Sequence, residues 1–365
     1  MMNTYFFTGF PGFIARELVR EMIRQKGKEI NSIYLLVMDS QANAAEEEVA
    51  RIKEMECGNE IAFHIVKGDI TSPSLFTDPA AISRIREVDY VFHLAAIYDL
   101  AVPYRKAYEV NVKGTKHIND WLLTLPNLKR YVYFSTAYVS GKREGIIYET
   151  ELDEGQKFKN DYEKTKFEAE ILVEDMKDHI PVTIIRPGIV RGHSNSGATI
   201  KFDGPYFILN MFDRLSFLPV IPYLGAGKAD GNFVPVDYVI QATAYLSHAD
   251  CGAGKTYHLT DPAPLPMREV YRLLMLEYLG KQPVGMIPLQ SATYLLNFRK
   301  LRQWVGVEKQ ALAYLTCRAT YDTAQVQADL KDSDIVIPSF TDTLRSMVSY
   351  YRDHKEDKNK RVLIH

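Results

Sequence analysis

A tyrosine and a lysine four residues apart can work as an acid–base pair if a helix carries them, because positions i and i+4 share one face. Tyr-x-x-x-Lys occurs at Tyr138–Lys142, Tyr162–Lys166 and Tyr351–Lys355. The first spans Gly141 just after a strand-like segment, and the last lies in a charged C-terminal stretch, Arg352–Arg361, expected to be a frayed, solvated tail. Only Tyr162-Glu163-Lys164-Thr165-Lys166 opens a convincing helix, with apolar Phe167, Ile171 and Leu172 following. There the Lys166 ammonium is expected to lower the Tyr162 phenol from its ordinary value of about 10. A phenol tuned this way can trade a proton with a carbonyl or alcohol oxygen while hydride moves at the carbon. A hydroxyl should hold that oxygen. In Phe134-Ser135-Thr136-Ala137-Tyr138 the choice is Thr136, with Ser135 as fallback; either alone reads equally as a strand-end polar residue. Asn111, in Asn111-Val112-Lys113-Gly114-Thr115, is expected to orient Lys166 through water, and reads equally as a helix cap or interior amide.

Hydride chemistry needs a carrier, and the N-terminus offers a place for one. Thr8-Gly9-Phe10-Pro11-Gly12-Phe13-Ile14-Ala15 joins the first strand-like segment to the first helical one. Gly9 permits a tight turn, Gly12 allows backbone to approach a pyrophosphate, and Ala15 lets helix and sheet pack closely. The helix start adds N–H groups and a positive dipole end. Asp39, ending the second strand, is expected to accept the ribose hydroxyls of NAD and to repel the extra phosphate of NADP; a plain N-cap is the other reading. Gly68-Asp69-Ile70 is expected beside the adenine, although Asp69 could equally cap a turn. His93-Leu94-Ala95-Ala96 ends the fourth strand with small residues suited to backbone lying against the cofactor; His93 reads as structural.

Strand-like Thr4–Thr8, Ser32–Met38, Ile61–Val66, Tyr90–Ala95, Tyr131–Ser135 and Val182–Ile185 alternate with helical Phe13–Gln25, Glu46–Met55, Tyr104–Leu123 and Phe158–Met176. Apolar strands alternating with helices predict an α/β fold, a doubly wound parallel sheet covered on both faces, with a smaller, mainly helical C-terminal substrate lobe. The dinucleotide-binding part is expected over residues 1–190, with a return segment at about 230–250. The substrate lobe takes 191–229 and 251–365, including Tyr257–Thr260, Met267–Leu279 and Ser291–Val305. Its apolar runs, Phe207–Leu218 and Tyr294–Trp304, read either as core or as a channel for an acyl chain, polyketide or sterol. Lys201 and Lys228 are weak candidates for holding a diphosphate.

A net charge of −2 gives no global field for nucleic acid. Cys57, Cys251 and Cys317 are odd in number and outside metal-ligand spacing, so no metal site is expected and a reducing, cytoplasmic setting is. No uncharged run reaches the roughly 20 residues of a membrane span, and no leader segment is read at the N-terminus.

Together these strings resemble the extended short-chain dehydrogenase/reductases. Arg186-Pro187-Gly188-Ile189-Val190-Arg191-Gly192 and Phe233-Val234-Pro235-Val236-Asp237 complete the match, which runs from Thr4 to about Thr260. The resemblance implies an NAD(P)-dependent oxidoreductase with Tyr162 as acid–base, Lys166 as its partner and Thr136 as ligand to the substrate oxygen. It places Pro187, Gly188 and Val190 over the nicotinamide. Within the family the chain looks most like fatty acyl-CoA reductases and the thioester-reductase domains of carrier-protein systems, which implies an apolar substrate, CoA- or carrier-linked. That branch usually grips NADP with an arginine near Met38, where this chain has Met38-Asp39. By analogy a homodimer through two helices of the first lobe is expected. A nucleotide-sugar epimerase or dehydratase is the alternative, and a non-catalytic NAD(P)-sensing regulator the second.

Overall fold

The computed structural model describes residues 2–57, 61–78, 85–362 and 364. Seven strands form one parallel sheet: β1 (Asn3–Thr8), β2 (Ile30–Val37), β3 (Ala62–Lys67), β4 (Tyr90–His93), β5 (Arg130–Phe134), β7 (Val182–Pro187) and β11 (Lys255–Leu259). Their order, β3-β2-β1-β4-β5-β7-β11, reverses direction between β1 and β4. The crevice outside the strand C-termini at that reversal is where such sheets bind ligands. Short pairs lie outside the sheet: β6 (Gly145–Ile147) with β13 (Ala319–Tyr321), β8 (Ile189–Arg191) with β10 (Phe233–Pro235), and β9 (Tyr223–Leu224) with β12 (Met286–Ile287).

Both sheet faces are covered, which is why its strands are apolar on successive residues rather than alternate ones. β1, β5 and β7 are buried throughout. On one face the Phe13–Lys26 helix buries Ala15, Leu18, Val19, Met22 and Ile23 beside the Val236–His248 helix. The latter is the expected return segment. Its His248 Nε2 lies 3.0 Å from the Tyr5 hydroxyl. On the other face, Ile118, Trp121 and Val173 pack with Phe6 and Val91.

The second lobe has its own core, in which Phe207, Phe212, Tyr271, Leu274, Met347 and Tyr351 are buried. Two expectations change here. Tyr257–Thr260 does not belong to this lobe: β11 is the outermost strand of the main sheet, paired in parallel with β7. The Arg352–Arg361 stretch is not a free tail. Its first three residues end the Phe340–His354 helix, and Lys355 Nζ pairs with Asp213 at 2.6 Å while the Arg352 guanidinium stands 5.6 Å from the Tyr278 ring centroid. Tyr351 is therefore core, bonded to Asn210 at 2.9 Å, which removes Tyr351–Lys355 from consideration as chemistry.

Candidate active site

The turn after β1 is set by glycine. Gly9 has φ +85°, and a Cβ there would meet the Ala95 nitrogen and Leu94 carbon at 2.8 Å. A Cβ on Gly12 would meet the Gly9 carbonyl oxygen at 2.7 Å. The helix starting at Phe13 has no side-chain cap on its N-terminus and no acidic residue in its first turn. Its first N–H groups are thus left for an anion, such as a pyrophosphate. Thr8 completes the cradle, its Oγ1 accepting from the N–H groups of Leu94 (3.1 Å) and Ala95 (3.0 Å). The residues present therefore fit a dinucleotide.

One cavity of about 900 Å³ begins at this turn and runs into the second lobe. Of the residues expected at the cofactor, Thr8, Gly9, Phe10, Gly12, Phe13, Ile14, Asp69, Ile70, Leu94, Ala95, Ala96, Pro187, Gly188 and Val190 line it. Thr136, Tyr162 and Lys166 line it too. Pro11, Asp39 and Asn111 do not. Asp39 is 69 % exposed and pairs with Lys67 at 3.3 Å, while its neighbours Met38 and Gln41 face the cavity. The Asp69 carboxylate accepts from the Thr71 N–H at 2.8 Å, closing a turn. His93 is structural, held between the Thr8 (2.7 Å) and Thr115 (3.1 Å) hydroxyls and pushed down to about 3 by burial and then by the Lys166 charge.

Tyr162 and Lys166 share the Asp161–Glu174 helix, whose N-cap Asn160 accepts from the Glu163 N–H at 2.9 Å. Their electrostatics differ from expectation. Lys166 is fully buried, and its Nζ donates to the Tyr133 hydroxyl (2.8 Å) and the Phe134 carbonyl (2.6 Å), not to Tyr162. Burial lowers Lys166 to about 7, partly opposed by Glu170. Desolvation, and after it the Glu163 carboxylate, pushes the Tyr162 phenol up rather than down. A phenol so placed keeps its proton, which suits a donor.

The two hydroxyls after β5 have different company. Ser135 donates to the buried Glu170, which also accepts from Arg186 at 2.6 Å. Thr136 Oγ1 accepts only a long bond from the Tyr138 N–H, 3.3 Å. The Thr136 hydroxyl proton is thus the one not committed to the buried network. Asn111, in a π-helical turn over Tyr108–Lys113, bonds Ile97 N–H (2.8 Å) and Thr165 (3.1 Å). It ties the loop after β4 to the residue before Lys166, and that amide does not bond Lys166 itself. Unanticipated wall residues are Tyr98, Asp203, Arg268 and Tyr314. Tyr98 and Asp203 come from irregular segments, Arg268 from the first turn of the Met267–Leu279 helix and Tyr314 from a 3-10 helix over Lys309–Thr316.

The sheet order, the glycine turn and the Thr136, Tyr162 and Lys166 side chains on one cavity define an extended short-chain dehydrogenase/reductase, an NAD(P)-dependent oxidoreductase class. Residues 7–243 match the male sterility protein family, and the chain belongs to it. It is similar to a nonribosomal peptide synthetase of Aspergillus campestris, 26% identical over 359 residues that cover 90% of this chain and 34% of that protein. It is also similar to the alcohol-forming fatty acyl-CoA reductase of Simmondsia chinensis, 24% identical over 72% of this chain and 67% of the other. The chain thus spans about a third of the synthetase and two thirds of the reductase. A solved terminal R domain from the myxalamid PKS-NRPS pathway superposes with TM-score 0.81 at 25% identity, covering 98% of this chain and 92% of that domain. No helix among the described residues is long and apolar enough to cross a membrane.

Proposed function

We propose that the chain reduces an acyl thioester, presented on CoA or on a carrier's thiol arm, to the aldehyde and free thiol. The observation that carries this reading is the single cavity joining the dinucleotide cradle to the apolar second lobe, with Tyr162 and Thr136 on its wall between them. Nicotinamide, when bound, supplies the hydride to the thioester carbonyl carbon. The Thr136 hydroxyl holds the carbonyl oxygen, and Tyr162 gives that oxygen its proton. The proton then passes to sulfur as the carbon–sulfur bond breaks, so the acyl carbon gains two electrons and the thiol leaves neutral. Lys166, bonded to the Phe134 carbonyl, fixes the end of β5 and so the position of Thr136. Relatives named as acyl-CoA reductase and peptide synthetase support a thioester as the substrate class.

The test is a cofactor-oxidation screen with NADH and NADPH across long-chain acyl-CoA, aminoacyl and peptidyl thioesters, fatty aldehydes, sterols and UDP-sugars. Oxidation with thioesters is expected. A signal confined to UDP-sugars overturns the reading in favour of epimerase or dehydratase chemistry.

A further inference from the structure

Two groups have to reach one oxygen in the proposed reduction, and they stand on different elements. Thr136 caps the turn after β5, and Tyr162 sits in the first turn of the Asp161–Glu174 helix. Lys166 ties the two together from behind, through the Phe134 carbonyl. On the cavity side a residue of the second lobe touches the support of each. It is Tyr314, in the 3-10 helix over Lys309–Thr316. Its hydroxyl accepts from Asn160 Nδ2 at 3.1 Å, and Asn160 is the N-cap two residues before Tyr162. Its ring meets the Tyr138 ring edge-on, centroids 4.9 Å apart. Tyr138 lies two residues after Thr136, with its N–H on Thr136 Oγ1. Lys159 backs the junction, its Nζ standing 5.5 Å from the Tyr138 ring centroid and 5.4 Å from that of Tyr314. The same ammonium bonds the Gly141 carbonyl and pairs with Glu163 at 3.4 Å, with the two side chains 5% and 0% exposed.

A cap anchored only to its own helix fixes how the helix starts, not where that start lies. Asn160 is anchored at both ends. Its Oδ1 accepts from the Glu163 N–H at 2.9 Å, and its Nδ2 reaches across to the second lobe. A shift of the first turn would carry Tyr162 with it, and a misplacement of roughly 1 Å at a reacting group costs about 10²-fold in rate. Resting on the reading that Thr136 and Tyr162 serve one carbonyl oxygen, we infer that Tyr314 is a positioning residue for that pair. Its ring belongs to the substrate wall, and its hydroxyl holds the start of the Tyr162 helix at the spacing Thr136 requires. The second lobe thus takes part in the chemistry as well as enclosing the substrate.

The test is steady-state turnover of decanoyl-CoA and of the N-acetylcysteamine thioester of leucine, with NADH and NADPH. Tyr314→Phe keeps the ring and removes the hydroxyl. Its kcat should fall about tenfold, while KM for the thioester and NAD(P)H affinity by cofactor fluorescence change by less than about twofold. Asn160→Ser keeps a capping oxygen on a side chain too short to reach Tyr314. It should lose as much kcat as Tyr314→Phe, and the double variant no more than either single one. Asn160→Asp caps the helix and can accept the Tyr314 proton, so it should keep kcat within about threefold of wild type. Wild-type kcat in Tyr314→Phe, a loss carried by KM alone, or losses that multiply in the double variant overturn the inference and leave the thioester reading standing. Turnover of neither thioester by the wild type removes both.

Discussion

The cofactor end of the cavity is walled by backbone and small side chains at the C-termini of β1, β4 and β7, whereas the substrate end is walled by large side chains from segments between Tyr98 and Leu315. At the first end N–H groups are left free for a dinucleotide phosphate, and the residue types are fixed by space: a Cβ on Gly9 or Gly12 would enter backbone. At the second end the wall is rich in Tyr, Phe, Met and Leu, with a few charged side chains such as Asp203 and Arg268 among them, and its shape depends on how helices pack. One end is specified by what cannot be added, the other by what fills it. Substitutions at the first should therefore separate chemistry cleanly from binding, and those at the second should change which substrate is chosen.

The largest effect is expected where the two ends meet. Tyr162→Phe removes one hydroxyl and leaves the ring against Tyr98. Loss of a positioned proton donor costs roughly 10²–10⁴-fold in rate. Turnover should fall by that much in the oxidation assay, with NAD(P)H affinity by fluorescence titration unchanged. Retained turnover would move the proton donor to another residue and dissolve the boundary drawn between the two ends.

Next comes the buried support behind the cofactor end. Arg186 and Glu170 are about 1% and 0% exposed at the side chain, with Nη2 to Oε1 at 2.6 Å. The same carboxylate accepts from Ser135. Arg186→Met leaves a buried carboxylate without its cation, a change of about 3–5 kcal/mol in such pairs. Urea unfolding should show a loss of that order, with Arg186→Met/Glu170→Leu recovering much of it. A single-variant loss below about 1 kcal/mol would mean that the sheet, not this pair, holds the end of β5.

The same contrast explains what could be read from the residues. The glycine turn, the strand alternation and the Tyr162–Lys166 helix are local patterns, each carried by fewer than about 20 consecutive residues with one dominant physical cause. They placed β1 to β5, β7 and most of the residues that line the glycine-turn end of the cavity. Tyr257–Thr260 was assigned to the wrong lobe because a parallel edge strand reached by a long crossover carries no local sign of its partner. Asp39 was expected at the ribose because it ends a strand, but position does not fix side-chain direction, and this one turns to Lys67. The lowering of Tyr162 by Lys166 failed for a related reason. Helical spacing puts two side chains on one face, yet the ammonium found stronger acceptors in Tyr133 and Phe134, and desolvation then dominated both groups. Asp203, Tyr98 and Tyr314 came together only through the tertiary fold.

Lys166 gives a smaller, pH-dependent effect. Its ordinary 10.5 falls to about 7 in the folded chain. Between those values the unfolded chain binds the extra proton, so this group's contribution to stability rises with pH from about 7 to 10.5, and its full cost is present below 7. Lys166→Met removes the cost but leaves two acceptors without a donor, at about 1 kcal/mol each. The variant should be more stable than wild type by ~1–2 kcal/mol near pH 6, with the gap closing as pH rises toward 10. Denaturant midpoints measured across that range give the sign. A gap that widens with pH would mean Lys166 is held charged when folded, and would restore the expectation of an ammonium supporting the phenol.

The smallest effect is expected at Asp39, and it sharpens where the cofactor end stops. An exposed ion pair such as Asp39–Lys67 contributes at most about 1 kcal/mol. A carboxylate turned away from the cavity also cannot distinguish a ribose hydroxyl from a ribose phosphate by contact, only by a screened charge. Asp39→Asn should therefore shift the NAD(H)-to-NADP(H) affinity ratio by less than about fivefold. Met38→Arg, at the adjoining position that does face the cavity, should move it further toward NADP(H) by bidentate contact with the phosphate. A fluorescence titration in which Asp39→Asn moves the ratio more than Met38→Arg would show Asp39 rotating inward when the dinucleotide binds, and would extend the cofactor wall by that residue.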